Sequence, residues 1–224
     1  MAIKEKTKEE VRMEKVENTV SRTEEFFNEN GKLIWGILIA VVAVWLAILG
    51  YQKFILQPKC AEAQEQAFPA EGLFRQGEYQ MALEGDGNVL GFKEIIDSYG
   101  SKAGKAMYFY AGVCELQLGN FEDALAYLRK YNGKDAIMAA RAIACQGDAY
   151  VGLEDYKAAV AAYKKAVAKA DNVFAAAYLV KEGLALEQLG DKAAALACYK
   201  EVKDKYPQSV EAYDIDKFIA AVEE

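Results

Sequence analysis

The chain of 224 residues contains no histidine. That absence removes the commonest general base together with the commonest metal ligand, and it argues against an enzyme. No C-x-x-C pair occurs either: Cys60, Cys114, Cys145 and Cys198 stand too far apart in sequence for a zinc or dithiol motif. They read as small apolar residues or as disulfide partners, in any of the three pairings that four thiols allow. Basic residues are not in excess. Lys and Arg number 27 against 34 Asp and Glu, a net charge of −7 with no basic stripe, so phosphate would be repelled and nucleic acid is not the expected partner.

One stretch carries no charge at all: Leu33 to Tyr51, LIWGILIAVVAVWLAILGY. As a helix at about 1.5 Å per residue it reaches roughly 28 Å, close to the ~30 Å hydrocarbon thickness of a bilayer. Eleven of its residues are Leu, Ile or Val, each favouring insertion by about 0.3–0.6 kcal/mol. A secretory signal has a short basic head and an apolar core of about 7–15 residues. This run instead follows 32 residues of which 15 are charged and reads as an uncleaved transmembrane helix over residues 33–52. Lipidation at Cys60 is not expected, because Lys59 stands where a small residue is needed.

Near the membrane, Lys15, Arg22 and Lys32 precede the run, and Lys53 and Lys59 follow it. This slight bias, with a short head before a long domain, predicts a cytoplasmic N-terminus and an exported C-terminal part. Gly36, Ala40, Ala43 and Ala47 share one face, either a surface for another membrane helix or merely the alanine common in such helices. Residues 1–32 read as a charged helical head. Its thin stripe of Met13, Val16, Val20 and Phe27 suits a solvated helix, a short coiled coil or a partner contact.

Beyond the run the sequence repeats. Tyr108 to Tyr131, Ile143 to Val167 and Leu179 to Val202 align at offsets of 35 and 36 residues. Gly112, Gly147 and Gly183 coincide, as do Phe121, Tyr156 and Lys192; Ala124, Ala159 and Ala195; and Leu128, Tyr163 and Tyr199. Each unit reads as an apolar helix, a turn (LGN, LED or LGD) and a second helix. A mid-helix glycine costs about 1 kcal/mol against alanine, so its recurrence implies a close approach by a neighbouring helix. The recurring alanine implies the same from the other side, with the aromatic residues filling the space between hairpins.

These units resemble tetratricopeptide repeats. Three match well, although Glu154 replaces the usual turn glycine and Lys192 the aromatic. A fourth, earlier unit emerges from FKEIIDSYGSKAG (Phe92 to Gly104), which aligns with YKEVKDKYPQSVE (Tyr199 to Glu211). Its first part holds Gly77, Tyr79 and Ala82 in the turn and alanine positions, followed by an insertion around EGDGNVLG. Ser209 to Glu224 reads as a capping helix with an N-capping serine. The expected fold is therefore all-α: a single N-terminal transmembrane helix, then a tetratricopeptide-like solenoid over 53–224. It holds about 3.5–4 repeats, at roughly 61–104, 105–139, 140–175 and 176–208, with a cap at 209–224.

Other motifs do not survive counting. Gly85, Gly87 and Gly91 lack the G-x-G-x-x-G spacing, GSKAGKA is too short for a phosphate loop, and Asp86 with Asn88 starts a calcium loop that goes no further. No catalytic residue, cofactor or metal is expected. The resemblance instead implies a groove for protein partners, served by recurring first-helix positions. Carried over, these are Ala106, Phe109, Val113 and Leu116; Arg141, Ala144, Asp148 and Val151; and Ala177, Val180, Leu184 and Glu187. Mostly apolar, they suit apolar segments or a helix, and several are equally suited to packing between hairpins.

The whole layout, head, one span and repeats, resembles the YfgM-like proteins of bacterial inner membranes. That resemblance implies a non-enzymatic scaffold accessory to the Sec translocon, with a periplasmic repeat domain meeting translocon components, periplasmic chaperones or exported clients. A homo-oligomer fits as well. The alternative is a subunit of another cell-envelope assembly, in outer-membrane biogenesis or cell-wall machinery.

Overall fold

The structure, a computed structural model, describes residues 8–223. Residues 1–7 of the expected head, the side chains of its stripe at Val16, Val20 and Phe27, and Glu224 of the expected cap lie outside the described residues. The described chain is helical, with one isolated antiparallel bridge between Gly85 and Leu90. It divides into two compact units, Met1–Pro58 and Lys59–Glu224.

The first unit is dominated by α1 (Lys8–Tyr51), followed by a single π-helical turn, Gln52–Leu56. Its charge-free part leaves Trp35, Ile39 and Trp45 exposed, with no apolar stripe set apart from a polar face. A helix of this kind in water would show apolar surface on every side. It is long and apolar enough to cross a membrane.

The second unit is a run of helical hairpins. In α2 (Gln57–Gln76), Ala63, Ala67 and Ala70 recur at helical spacing and are buried. Gly77, at φ +82°, ends that helix. Where the sequence places an insertion around EGDGNVLG, the structure splits the second helix of this hairpin into α3 (Tyr79–Glu84) and α4 (Phe92–Tyr99). The insertion between them folds back tightly: Asp86 Oδ1 accepts hydrogen bonds from the amides of Asn88 at 2.9 Å and Val89 at 2.8 Å. A Cβ on Gly91 would stand 2.4 Å from the backbone of Glu84 and Gly85, so only glycine fits this return.

A 3₁₀ turn, Gly100–Ala103, leads to the second hairpin, α5 (Lys105–Gln117) and α6 (Phe121–Leu128). The third is α7 (Ala136–Gly152) with α8 (Tyr156–Lys169), and the fourth α9 (Ala175–Gln188) with α10 (Lys192–Lys205). Each helix from α5 to α11 packs on its successor, and α5 also meets α7. A 3₁₀ turn, Glu211–Tyr213, precedes the closing helix α11 (Ile215–Glu223). Ser209 Oγ accepts from the amide of Ala212 at 3.2 Å, so the serine caps that short turn rather than α11 itself.

The hairpin turns share one geometry. The amide of Asn120 reaches the carbonyl of Glu115, Asp155 that of Tyr150, and Asp191 that of Leu186, at 2.9, 2.9 and 3.0 Å. This six-to-one closure requires a left-handed residue just past the helix. Gly119 and Gly190 fill that position freely; Glu154 does so at φ +58° without the freedom of glycine. Asp155 and Asp191 then cap the following helices, accepting from the amides of Ala158 and Ala194 at 3.1 and 3.0 Å.

Inside the second, third and fourth hairpins a glycine faces a large side chain sixteen positions on. A Cβ on Gly112 would meet Leu128 Cγ at 2.6 Å; on Gly147, Tyr163 Cε1 at 2.5 Å; on Gly183, Tyr199 Cε1 at 2.3 Å. Leu128, Tyr163 and Tyr199 are buried at 2 % exposure or less. Ala124, Ala159 and Ala195 are fully buried one turn earlier. Phe121, just after its turn, instead bridges hairpins, its ring filling the space that a Cβ on Gly152 would need.

Candidate partner-binding furrow

The first helices α5, α7 and α9 face a series of three concavities. The first, about 440 Å³, is lined by residues including Val113, Leu116, Ile137, Arg141, Ala144 and Phe174. The second, about 430 Å³, is lined by Asp148, Val151, Tyr156, Tyr163, Lys181, Leu184, Ala185 and Gln188. The third, about 440 Å³, lies between α9 and the closing helix, against Leu184, Glu187, Asp214, Lys217, Phe218 and Ala221. Asp148 and Lys181 line both the first and the second, and Leu184 both the second and the third. The three form one furrow along the repeats.

Of the positions carried over from sequence, Val113, Leu116, Arg141, Ala144, Asp148 and Ala177 meet in the first concavity, Asp148, Val151 and Leu184 in the second, and Leu184 and Glu187 in the third. Phe109 is 3 % exposed and lies in the core, with the Arg141 guanidinium 5.9 Å from its ring centre. Val180 is half-buried against the C-terminal core, and Ala106 is exposed outside the three concavities. Sequence reasoning missed Lys181, Ile137, Phe174 and the α11 residues. Lys181 falls at none of the recurring positions, and Phe174 precedes its helix.

The polar centre is Asp148. Lys181 Nζ approaches its two oxygens at 2.7 and 2.8 Å, and the Tyr163 hydroxyl donates to Oδ1 at 2.7 Å. Burial, reinforced by the Asp148 charge, pushes the Tyr163 hydroxyl above the ordinary tyrosine range. One hairpin on, the Tyr199 hydroxyl donates to Glu187 Oε1 and is raised by burial and then by that carboxylate. The phenols thus cross over the missing Cβ atoms of Gly147 and Gly183 to reach furrow carboxylates.

The four cysteines stand as free thiols. Burial raises Cys145, the one lining the furrow, to about 11, so at neutral pH it is a thiol and a weak nucleophile. Among the described residues no group of His, Cys, Asp and Glu is arranged to hold a metal. What the furrow offers is apolar surface with a few fixed charges, the means of recognition.

Residues 92–136 and 146–210 match the tetratricopeptide repeat family. Those residues carry tetratricopeptide repeats, and the second unit is a tetratricopeptide-like solenoid, a fold of the protein-interaction class. Two solved structures share the fold. A crystal structure of MamA superposes with a TM-score of 0.53 at 18 % identity, over 68 % of this chain and 91 % of that one. A second, of MamA protein, gives 0.53 at 19 % identity over 73 % and 86 %. At such identities the likeness is one of fold alone. No curated protein sequence matches the chain.

Proposed function

We propose that the chain is a membrane-anchored, non-enzymatic scaffold that docks protein partners in the furrow. The observation that carries this reading is the continuity of the three concavities through shared residues, lined from successive repeats with exposed Val151 and Leu184 between them. An apolar trough of this kind accepts side chains spaced along a peptide segment.

In the finer reading, Leu33–Tyr51 spans the bacterial inner membrane with the N-terminus cytoplasmic and the repeats periplasmic. There the scaffold acts as a translocon-associated, chaperone-like subunit for exported proteins. Support comes from the length and apolarity of α1, the distribution of Lys and Arg around it, and the resemblance of the layout to YfgM-like proteins.

A photo-cross-linking residue at Val151 or Leu184, activated in living cells, tests the partner. Capture of translocon components or exported chains is expected. Capture of a fixed complex without the translocon points instead to another envelope assembly. Orientation is tested separately with Tyr213→Cys, at a position 88 % exposed, and a maleimide that cannot cross the inner membrane. Labelling in intact spheroplasts is expected, and labelling only after lysis reverses the orientation.

A further inference from the structure

We propose that the furrow is electrically polar and so fixes the direction of its partner: an amphipathic peptide segment lies with a carboxylate over Arg141 and a cationic side chain over Glu187. This rests on the docking reading above and adds to it the chemistry of the segment.

Three charged side chains line the first concavity, Arg141, Asp148 and Lys181. Lys181 takes both oxygens of Asp148, at 2.7 and 2.8 Å, and the two charges offset each other. Arg141 is exposed and has no carboxylate partner among the described residues. Its guanidinium lies instead 5.9 Å from the Phe109 ring centre, within cation–π reach. This positive end stands out in a chain whose residues 33–224 hold 20 Lys and Arg against 26 Asp and Glu.

The third concavity has the opposite sign. Asp214 pairs with Lys217, which leaves Glu187, whose carboxylate accepts the Tyr199 hydroxyl and meets no cation among the described residues. Between the ends lie Val151 and Leu184, 37 % and 44 % exposed. A segment with apolar side chains at its centre, an acid at one end and a base at the other matches all three parts. Reversed, it would set like charges together at both ends, which costs affinity and suppresses that orientation.

The test is calorimetric titration of the full chain, held in lipid nanodiscs, with a synthetic 15-residue Leu/Ala peptide carrying Glu near one end and Lys near the other. Two further peptides replace that Glu by Gln or that Lys by norleucine. Wild-type protein is expected to lose about five- to tenfold in affinity for either altered peptide, the range of a partly desolvated charge-assisted bond. Arg141→Gln protein should be indifferent to the Glu change and Glu187→Gln protein to the Lys change, while both keep wild-type circular dichroism. If wild type and Arg141→Gln respond alike to the loss of the peptide carboxylate, the polarity is wrong, although docking stands. If none of the peptides binds, docking in the furrow falls and the polarity with it.

Discussion

Gly183 and Tyr199 occupy one space: the Cβ that Gly183 lacks would stand 2.3 Å from Tyr199 Cε1, and the Tyr199 hydroxyl is held beyond it by Glu187. The ring is fully buried and tied at its far end, so it has little freedom to yield.

Gly183→Ala and Gly147→Ala are therefore expected to destabilise the repeat unit by about 1–3 kcal/mol, overpacking outweighing the better helix propensity of alanine. Gly72→Ala is the contrast. It sits inside α2 with nothing within 4 Å of its missing Cβ, so alanine should stabilise by up to about 1 kcal/mol. Urea midpoints by circular dichroism distinguish the signs.

Glu154 is the residue among the described ones that holds a left-handed φ without being glycine. Glu154→Gly should raise stability by about 1 kcal/mol, the steric cost of a Cβ in that region. Gly119→Ala and Gly190→Ala, at φ +81° and +78°, should lower it by a similar amount. Equal effects at all three sites, in the same unfolding assay, would remove the turn geometry as the cause.

At Asp148 the order of effects separates the ion pair from the buried phenol. Lys181→Met should cost less than about 1 kcal/mol, since Lys181 is 44 % exposed. Asp148→Asn keeps an acceptor for Tyr163 and should cost little more. Asp148→Ala leaves the Tyr163 hydroxyl unpartnered and should cost about 1–3 kcal/mol. Chemical denaturation of the three variants gives the ranking, and a larger loss for Lys181→Met than for Asp148→Ala contradicts it.

Alkaline pH should unfold the repeats. Burial raises Tyr163 and Tyr199 above their unfolded value, and raises Tyr206 to about 12 with help from Asp171. Lys93 is raised by its hydrogen bond to Glu115. A proton held more tightly in the folded state contributes stability in full below the unfolded value, about 10 for tyrosine, and that contribution drains away as pH rises through the folded value. Stability to urea should hold from neutral pH to about 10 and fall above it, with a shallower fall in the Tyr163→Phe, Tyr199→Phe double variant. Tyrosinate absorbance that grows to its full value while the circular dichroism stays native would contradict this.

Much of the architecture is legible in the residues. Glycine, alanine and turn residues return at offsets of 35 and 36 because each hairpin must present the same small contacts to fold and stack. What the spacing does not disclose is which partner each small residue meets. Gly147 implies a close neighbour, yet only the fold shows that neighbour to be Tyr163 of the same hairpin, while Phe121 reaches across to Gly152 of the next. A repeat alignment ranks positions by recurrence, so it places Phe109 alongside Ala144 and Val180; packing then seats Phe109 in the core and leaves Arg141 above it.

The sequence by itself determined the helical hairpins, the turn chemistry and the presence of a charge-free helix, because these follow from local periodicity and from backbone demands within a few residues. Only the tertiary structure decided the furrow. The Lys181 to Asp148 bridge spans 33 residues, and the third concavity sets Leu184 and Glu187 of α9 across from Phe218 of the closing helix. Such contacts are set by how hairpins stack, a property of side-chain volume in three dimensions that no one-dimensional period records.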